Sequence, residues 1–197
     1  MTDGQVLNRP SPDCLQLLLS RRSGSAKAMM GPGPSHEQLR MILAVGARVP
    51  DHGKLAPWRF IVFEGDGRDR MGDLLAKTVH DAEPDASPER LALERNRFLR
   101  APVVIAVVSR VREAIPIPEW EQMMSAGASC MAMVIAAHSM GFVANWITEW
   151  CAYHPRIRDG LGLHAGERVA GFIYIGKPAV ALEERIRPNL SSLLTYF

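Results

Sequence analysis

The chain has 197 residues, 47% of them hydrophobic and 22% charged, within the range of one ordinary folded domain. Its 23 basic and 21 acidic residues are interleaved and leave a net charge of +2, so neither nucleic acid nor an anionic membrane is expected as a partner. Cys14, Cys130 and Cys151 lie far apart without a CxxC pair, against a disulfide framework or a zinc site. The stretch 1–10 is polar and no apolar run reaches the ~20 residues of a membrane span, so a cytoplasmic protein is expected.

A first helix should start at Ser11, with Pro12 at its first position, and bury Cys14, Leu15, Leu17, Leu18 and Leu19. It runs out into Ser20-Arg21-Arg22-Ser23-Gly24. Ser35 and Gln38 form a capping-box pattern ahead of Leu39, Ile42, Leu43 and Gly46 at helical spacing, and Pro50 closes this second helix. Strands are predicted over 59–64 (RFIVFE) and, buried on both faces, over 103–109 (VVIAVVS), with two amphipathic helices over 66–80 and 88–99 between them. The longest helical pattern, 118–140, is rich in Ala and Met and nearly uncharged after Glu121, so it must be buried on most sides; Gly141 ends it. Strands over 142–148 and 169–176 follow, and Pro178 opens an irregular tail with an apolar end over 190–197. Helices and strands alternate without repeats or a dividing linker, which predicts a single domain, 1–197, mixing both around one sheet.

Two segments could carry chemistry. Arg21-Arg22-Ser23 offers two forked donors and a hydroxyl able to wrap a phosphate, although a basic helix end that favours the macrodipole has the same composition and is the commoner case. The loop 51–58 (DHGKLAPW) lies between a helix and a strand, where binding residues sit on a rigid scaffold; the plainer reading is a solvated loop with Trp58 plugging the core. A strand followed by Gly65-x-Gly67 and a helix suggests a dinucleotide fingerprint, but the next glycine, Gly72, stands two residues too far on, and a turn before a helix explains it better. Cys130 and His138 lie more than two helical turns apart, so they make no nucleophile pair.

Taken in order, Arg21-Arg22-Ser23, the loop ending in Pro57-Trp58 and Gly176-x-Pro178 after the last strand resemble the nitroreductase family. The stretches RVPDHGKLAPWRF, RAPVVIAVV, WEQMMSAGASCMAM, GFVANW, GFIYIGKP and the terminal TYF carry the likeness across nearly the whole chain, most of all to small YdjA-type NAD(P)H nitroreductases. The resemblance implies an α+β sandwich, with a central mixed, mainly antiparallel sheet flanked by helices. It also implies a homodimer formed through the long central helix, with FMN at the interface and chain ends reaching onto the partner.

Carried over by position, Arg21, Arg22 and Ser23 match the family's phosphate and ribityl contacts, and Arg48 and His52 match contacts from the partner subunit. Lys54 stands where many relatives have Asn and would face the pyrimidine edge; Trp146, Ile147 and Thr148 match the stretch lining the flavin ring. Arg185 and Arg187 resemble a basic pair that completes the phosphate site in larger members, and Ala136, Ala137, His138, Ser139, Met140 and Gly141 correspond to a nicotinamide-nucleotide segment. The implied activity is an oxidoreductase that passes a hydride from NAD(P)H through flavin N5 to a nitroaromatic, quinone or similar small-molecule acceptor by a ping-pong cycle. No protein residue is then required as a catalytic acid, base or nucleophile, and no metal. Reductive dehalogenation, flavin breakdown or a non-catalytic flavin-binding dimer would use the same binding motifs.

Overall fold

Three of the chain's helix starts are written in its side chains. In the computed structural model, which describes residues 7–197, Ser11 Oγ accepts from Cys14 N ahead of α1 (Pro12–Ser20). Ser35 and Gln38 form the anticipated reciprocal capping box ahead of α2 (His36–Gly46). Ser87 caps α4 (Pro88–Arg95) in the same way as Ser11. The polar N-terminal reading over 1–10 lies largely outside the described residues.

The remaining elements are β1 (Met29–Met30), β2 (Trp58–Phe63), α3 (Asp66–Ala82), β3 (Val103–Arg110), α5 (Glu119–Ser139), β4 (Val143–Ile147), α6 (Pro155–Gly160) and β5 (Glu167–Pro178). One sheet results. The long β5 is flanked on one side by β3 and then β2, and on the other by β4 with β1 continuing the same edge. Every described pairing is antiparallel, so the sheet is more uniform than the mixed one expected. Gly65, at φ +49°, makes the turn between β2 and α3, and Asp66 and Asp69 in the helix's first turn suit its dipole. This is the turn-and-helix reading of the failed dinucleotide fingerprint.

Alternation along β3 divides the core. Val103, Ile105 and Val107 face α2 and α5, together with Trp58, Ile42, Met133 and Ile173. Val104 and Ala106 face α3 and α6, together with Leu75, Phe98, Phe172 and Ile157. Residues 103–109 are all buried, as the continuous apolar run predicted. A register shift between β3 and β5 at Val107/Val108 pairs Gly171 and Val169 but leaves Ala170 out, a β-bulge.

Two helices depart from expectation. No residue of α1 is buried, and Leu19 is 76% exposed where a buried side was predicted. Helix α5 is buried or half-buried from Ser125 to His138, as expected, with Ala126, Cys130, Met133 and Ala137 in the core, but departs at its start, where Trp120, Met123 and Met124 stand exposed. The sheet and α2 cover most of α5, and only its first turns find nothing within the chain to pack against. Residues 179–197 are exposed throughout, including Ile186, Leu190, Leu193 and Tyr196.

Candidate functional site

Arg21 and Arg22 follow directly from the end of α1, where the chain turns to extended backbone at Arg21. Both are half-buried in a cleft of about 390 Å³ lined also by Ser20, His138, Val143 and Leu182. The next residues are tied to β4: Asn145 Nδ2 donates to Gly24 O at 2.6 Å, and a Cβ at Gly24 would stand 2.9 Å from the Val143 side chain. The absence of a side chain at Gly24 therefore lets the arginine segment lie against the strand that carries Trp146 and Ile147.

Among the described residues, the guanidinium of Arg21 makes no hydrogen bond with a protein group. Arg22 spends only Nε on the protein, donating to Glu183 O at 2.6 Å, with the Glu184 carboxylate 3.7 Å away. Half-buried guanidinium N–H groups facing a cleft are suited to a multiply charged oxyanion. His138 closes the same cleft. Its Nε2 accepts from Ala144 N at 3.2 Å, which assigns the hydrogen to Nδ1, and Nδ1 is buried without a partner. Burial, with the Arg21 cation beside it, holds the His138 pKa below its ordinary value.

The tail reaches the cleft through Glu183 and Glu184. Arg187 Nη2 donates to Glu184 Oε1 at 2.9 Å, so Arg187 and Arg22 approach one carboxylate, while Arg185 gives its backbone N–H to the same group. These contacts hold the Glu184 carboxyl below the usual carboxylate range, the Arg185 N–H contributing most. Of the 136–141 stretch, Ala136 and Ala137 are core residues, Ser139 Oγ turns back to Ala136 O, and Gly141 ends α5 at φ +73°. His138 is the member of that stretch that lines the arginine cleft.

Segments 21–24, 138–147 and 183–187 thus converge. His52 and Lys54 do not join them within the chain, and Arg48 is not among the residues that line the cleft. His52 Nδ1 lies 2.7 Å from Glu121 Oε2 at the start of α5, roughly 25 Å of helix away from His138 at ~1.5 Å per residue. Asp51 stiffens their loop by accepting from Leu55 N and Ala56 N, both at 2.9 Å, and Lys54 sits exposed at φ +54°. Trp58 is the core plug of the plainer reading, its Nε1 donating to Ser125 Oγ at 3.1 Å.

Behind β4 lies a polar network that sequence inspection missed. Glu149, directly after Thr148, has φ +56° and ψ 178°, a conformation ordinary side chains avoid. Its carboxylate accepts from Arg97 and from Arg100, and Arg97 also chelates Glu94 at 2.6 and 2.7 Å. Glu94 is 1% exposed and accepts further from Arg90 and from Trp150 Nε1. Burial raises the Glu94 pKa and these donors more than offset it, leaving it below its ordinary value. Nothing in the local pattern around 149 signals a left-handed acidic residue.

Burial pushes the Cys130 and Cys151 thiols up to about 12, which removes them as nucleophiles. No helix among the described residues is long and apolar enough to cross a membrane.

Comparison with known proteins agrees with this geometry. Residues 18–177 match the model of the Nitroreductase family. The chain is 38% identical over 186 residues to "Putative NAD(P)H nitroreductase YdjA" of Escherichia coli strain K12, covering 94% of this chain and all of that one. A nitroreductase-like family protein from Bacillus cereus superposes with a TM-score of 0.80 at 21% identity, over 96% of this chain and 98% of that one. A "putative nitroreductase in complex with fmn" from Desulfovibrio desulfuricans superposes with a TM-score of 0.73 at 27% identity, over 95% and 98% of the two chains. The fold, the order of the motifs and these matches lead to one assignment: the chain belongs to the nitroreductase family.

Proposed function

We propose that this protein is an FMN-dependent, NAD(P)H-oxidising reductase whose flavin phosphate is held by Arg21, Arg22 and Ser23. The observation that carries the reading is the cleft, lined by Arg21, Arg22 and His138, in which the half-buried Arg21 guanidinium lacks a protein acceptor. Polar groups so placed are costly unless a ligand completes them, and a phosphate ester with its hydroxylated chain supplies the acceptors they need. The chemistry that FMN supplies when bound is hydride relay at N5 between NAD(P)H and a nitroaromatic, quinone or similar acceptor.

The chain's own residues bind and orient. Arg21 and Arg22 neutralise the phosphate, and the Ser23 hydroxyl adds a hydrogen bond. The Asn145–Gly24 bond fixes the spacing between this anion site and Trp146, Ile147 and Thr148, which line the ring. Arg187 joins the phosphate side by exchanging Glu184 for the ligand's charge, and Arg185, whose backbone N–H holds Glu184, adds its own guanidinium there. Lys54, in the same turn as His52, places a cation at the pyrimidine edge from the second copy of the chain and so favours the reduced cofactor. His138 and its neighbours over 136–141 border the place of the nicotinamide nucleotide.

A second copy of the chain completes the site. His52 lies at the far end of α5 from the arginine cleft, and it acts, with Arg48, across a dimer interface. That interface covers the exposed start of α5, the leucines of α1 and the apolar tail. The whole of 1–197 serves as one flavin-binding domain.

Titration of the purified protein with FMN, followed by flavin fluorescence, tests the assignment directly. Binding with a yellow stoichiometric complex, and NADPH consumption on adding a quinone, are the expected results. A protein that gains no flavin spectrum would overturn it, and one that binds FMN but leaves NADH and NADPH unoxidised would be a carrier rather than a reductase.

A further inference from the structure

Of the four arginines carried by β2, α6 and the start of β5, two are paired and two are not. Arg59 is spent on Glu167 through two hydrogen bonds of 2.8 Å, and Arg156 on Asp81 at 2.7 Å. Arg158 and Arg168 form no ion pair among the described residues. Both line one cavity of about 350 Å³, together with Ala152, Tyr153 and Val169. The end of β4 explains why there is space here. That strand stops at Ile147, opposite Phe172, so β5 from Glu167 to Gly171 has no strand on that side. The chain turns away through Trp150–Ala152 and comes back as α6, leaving a gap between the turn, the helix and the bare stretch of β5. None of the lining residues borders the Arg21 cleft.

Charge narrows the occupant. Arg158 Nη2 donates to Glu167 O at 3.1 Å, which holds the guanidinium against the start of β5, while Nε is buried without an acceptor. A buried guanidinium N–H without a partner is costly, and an oxyanion at the fork removes that cost. Arg168 is exposed, and its guanidinium makes no hydrogen bond with a protein group among the described residues. No carboxylate lines the cavity. That of Glu167 is taken up by Arg59 and by His164 N, and Glu113 and Glu119 line the space on the α5 side of Arg168. The remaining walls, Ala152, Val169 and the exposed ring of Tyr153, are apolar or aromatic.

We infer that this cavity binds a small organic anion. Its carboxylate or phosphate head sits between the forks of Arg158 and Arg168, and an apolar body of single-ring size lies against Tyr153, Ala152 and Val169. The volume suits such a molecule, because pockets that enclose small ligands begin at roughly 300 Å³. The site stands apart from the residues proposed to hold FMN, so its occupancy does not depend on the flavin reading.

Phenyl phosphate and benzoate probe the two head groups, with benzyl alcohol as the neutral counterpart and inorganic phosphate and acetate as the bare heads. Binding to the full-length protein is measured by isothermal titration calorimetry at low ionic strength, since exposed charges are screened by salt. At least one aromatic anion should bind with a Kd below about 1 mM, more tightly than its bare head, and benzyl alcohol should not bind. Arg168→Gln should weaken that anion about tenfold and Tyr153→Ala at least about threefold. Both side chains are exposed, so neither variant should disturb folding. The inference is overturned if neither aromatic anion binds, if either variant binds as the wild type does, if benzyl alcohol binds equally well, or if the bare heads do, which would mark a general basic surface. Phosphate esters also suit the Arg21 cleft, so each titration is repeated with excess FMN and in Arg22→Ala. Binding that persists in both belongs to this cavity, and its loss in either assigns the probe to the cofactor site and overturns the inference. Should FMN itself fail to bind while Arg168→Gln still weakens the probe, the flavin reading fails and this site stands.

Discussion

Arg22 shows how a residue's surroundings decide its role. A basic pair at a helix end has an ordinary electrostatic explanation. In the folded chain, however, Arg22 turns one nitrogen to the tail and leaves the others to a cleft shared with Arg21 and His138. Arg22→Ala should therefore remove a charge-assisted hydrogen bond of about 1.5–3 kcal/mol and weaken FMN binding roughly tenfold to a hundredfold, read by fluorescence titration. Unchanged affinity would move the phosphate elsewhere. Glu167 makes a contrasting, purely structural case. Two hydrogen bonds from Arg59, each 2.8 Å, and one from His164 N at 2.9 Å hold its carboxyl down from 4.5 to about 2. A depressed carboxylate stabilises the fold above its unfolded-state pKa, and that stability is lost as pH falls from about 4.5 through about 2. The loss should be on the order of 2 kcal/mol. Urea denaturation at neutral pH and at pH near 3 should show it in the wild type, and Glu167→Gln should flatten the difference.

At the scale of elements, glycines and buried charges set how closely the pieces approach. Gly72, the residue that spoiled the dinucleotide fingerprint, has a packing reason: a Cβ there would stand 2.0 Å from the backbone carbonyl oxygen of Arg95. Helix α3 therefore touches the end of α4 backbone to side-chain-free backbone. Gly72→Ala must push the two helices apart and should cost about 1–3 kcal/mol, measurable as a lowered denaturation midpoint with secondary structure retained. A neutral result would mean that α4 can shift freely. The Glu94–Arg97–Glu149 network makes the same point with charge. It ties α4 to the turn after β4, and so fixes the strained backbone that follows Thr148. The conformation of the proposed ring-lining stretch is thus set from a helix some fifty residues earlier, as the separation of Arg97 from Glu149 shows.

The whole molecule is left with an unbalanced surface. Leu15, Leu18 and Leu19 on α1, Trp120 and Met124 on α5, and the apolar residues of the tail are each exposed. A dimer that buries them should make the thermal midpoint rise with protein concentration, because association stabilises only the folded chain. Added FMN should raise that midpoint further and tighten the dimer seen by analytical ultracentrifugation. If the midpoint is independent of concentration over two decades and sedimentation gives a monomer, the interface-bound site proposed here is wrong, and Arg48 and His52 have no part in it.

Local signals alone determined a good deal of this protein. The caps at Ser11 and Ser35, the turn at Gly65, the buried run of β3 and the apolar face of α2 were legible because each depends on residues within a few positions of one another. The ordered motifs also pointed to the family, and the family to the cofactor. Tertiary structure decided what no local pattern carries. It laid the arginine segment along β4 through Asn145 and Gly24, left His138 Nδ1 and Ser109 Oγ unpartnered, and separated His52 from Arg21 by the length of α5. The first helix was misjudged for the same reason: an apolar stripe specifies that a surface is to be covered, whereas only packing shows whether the cover comes from the same chain.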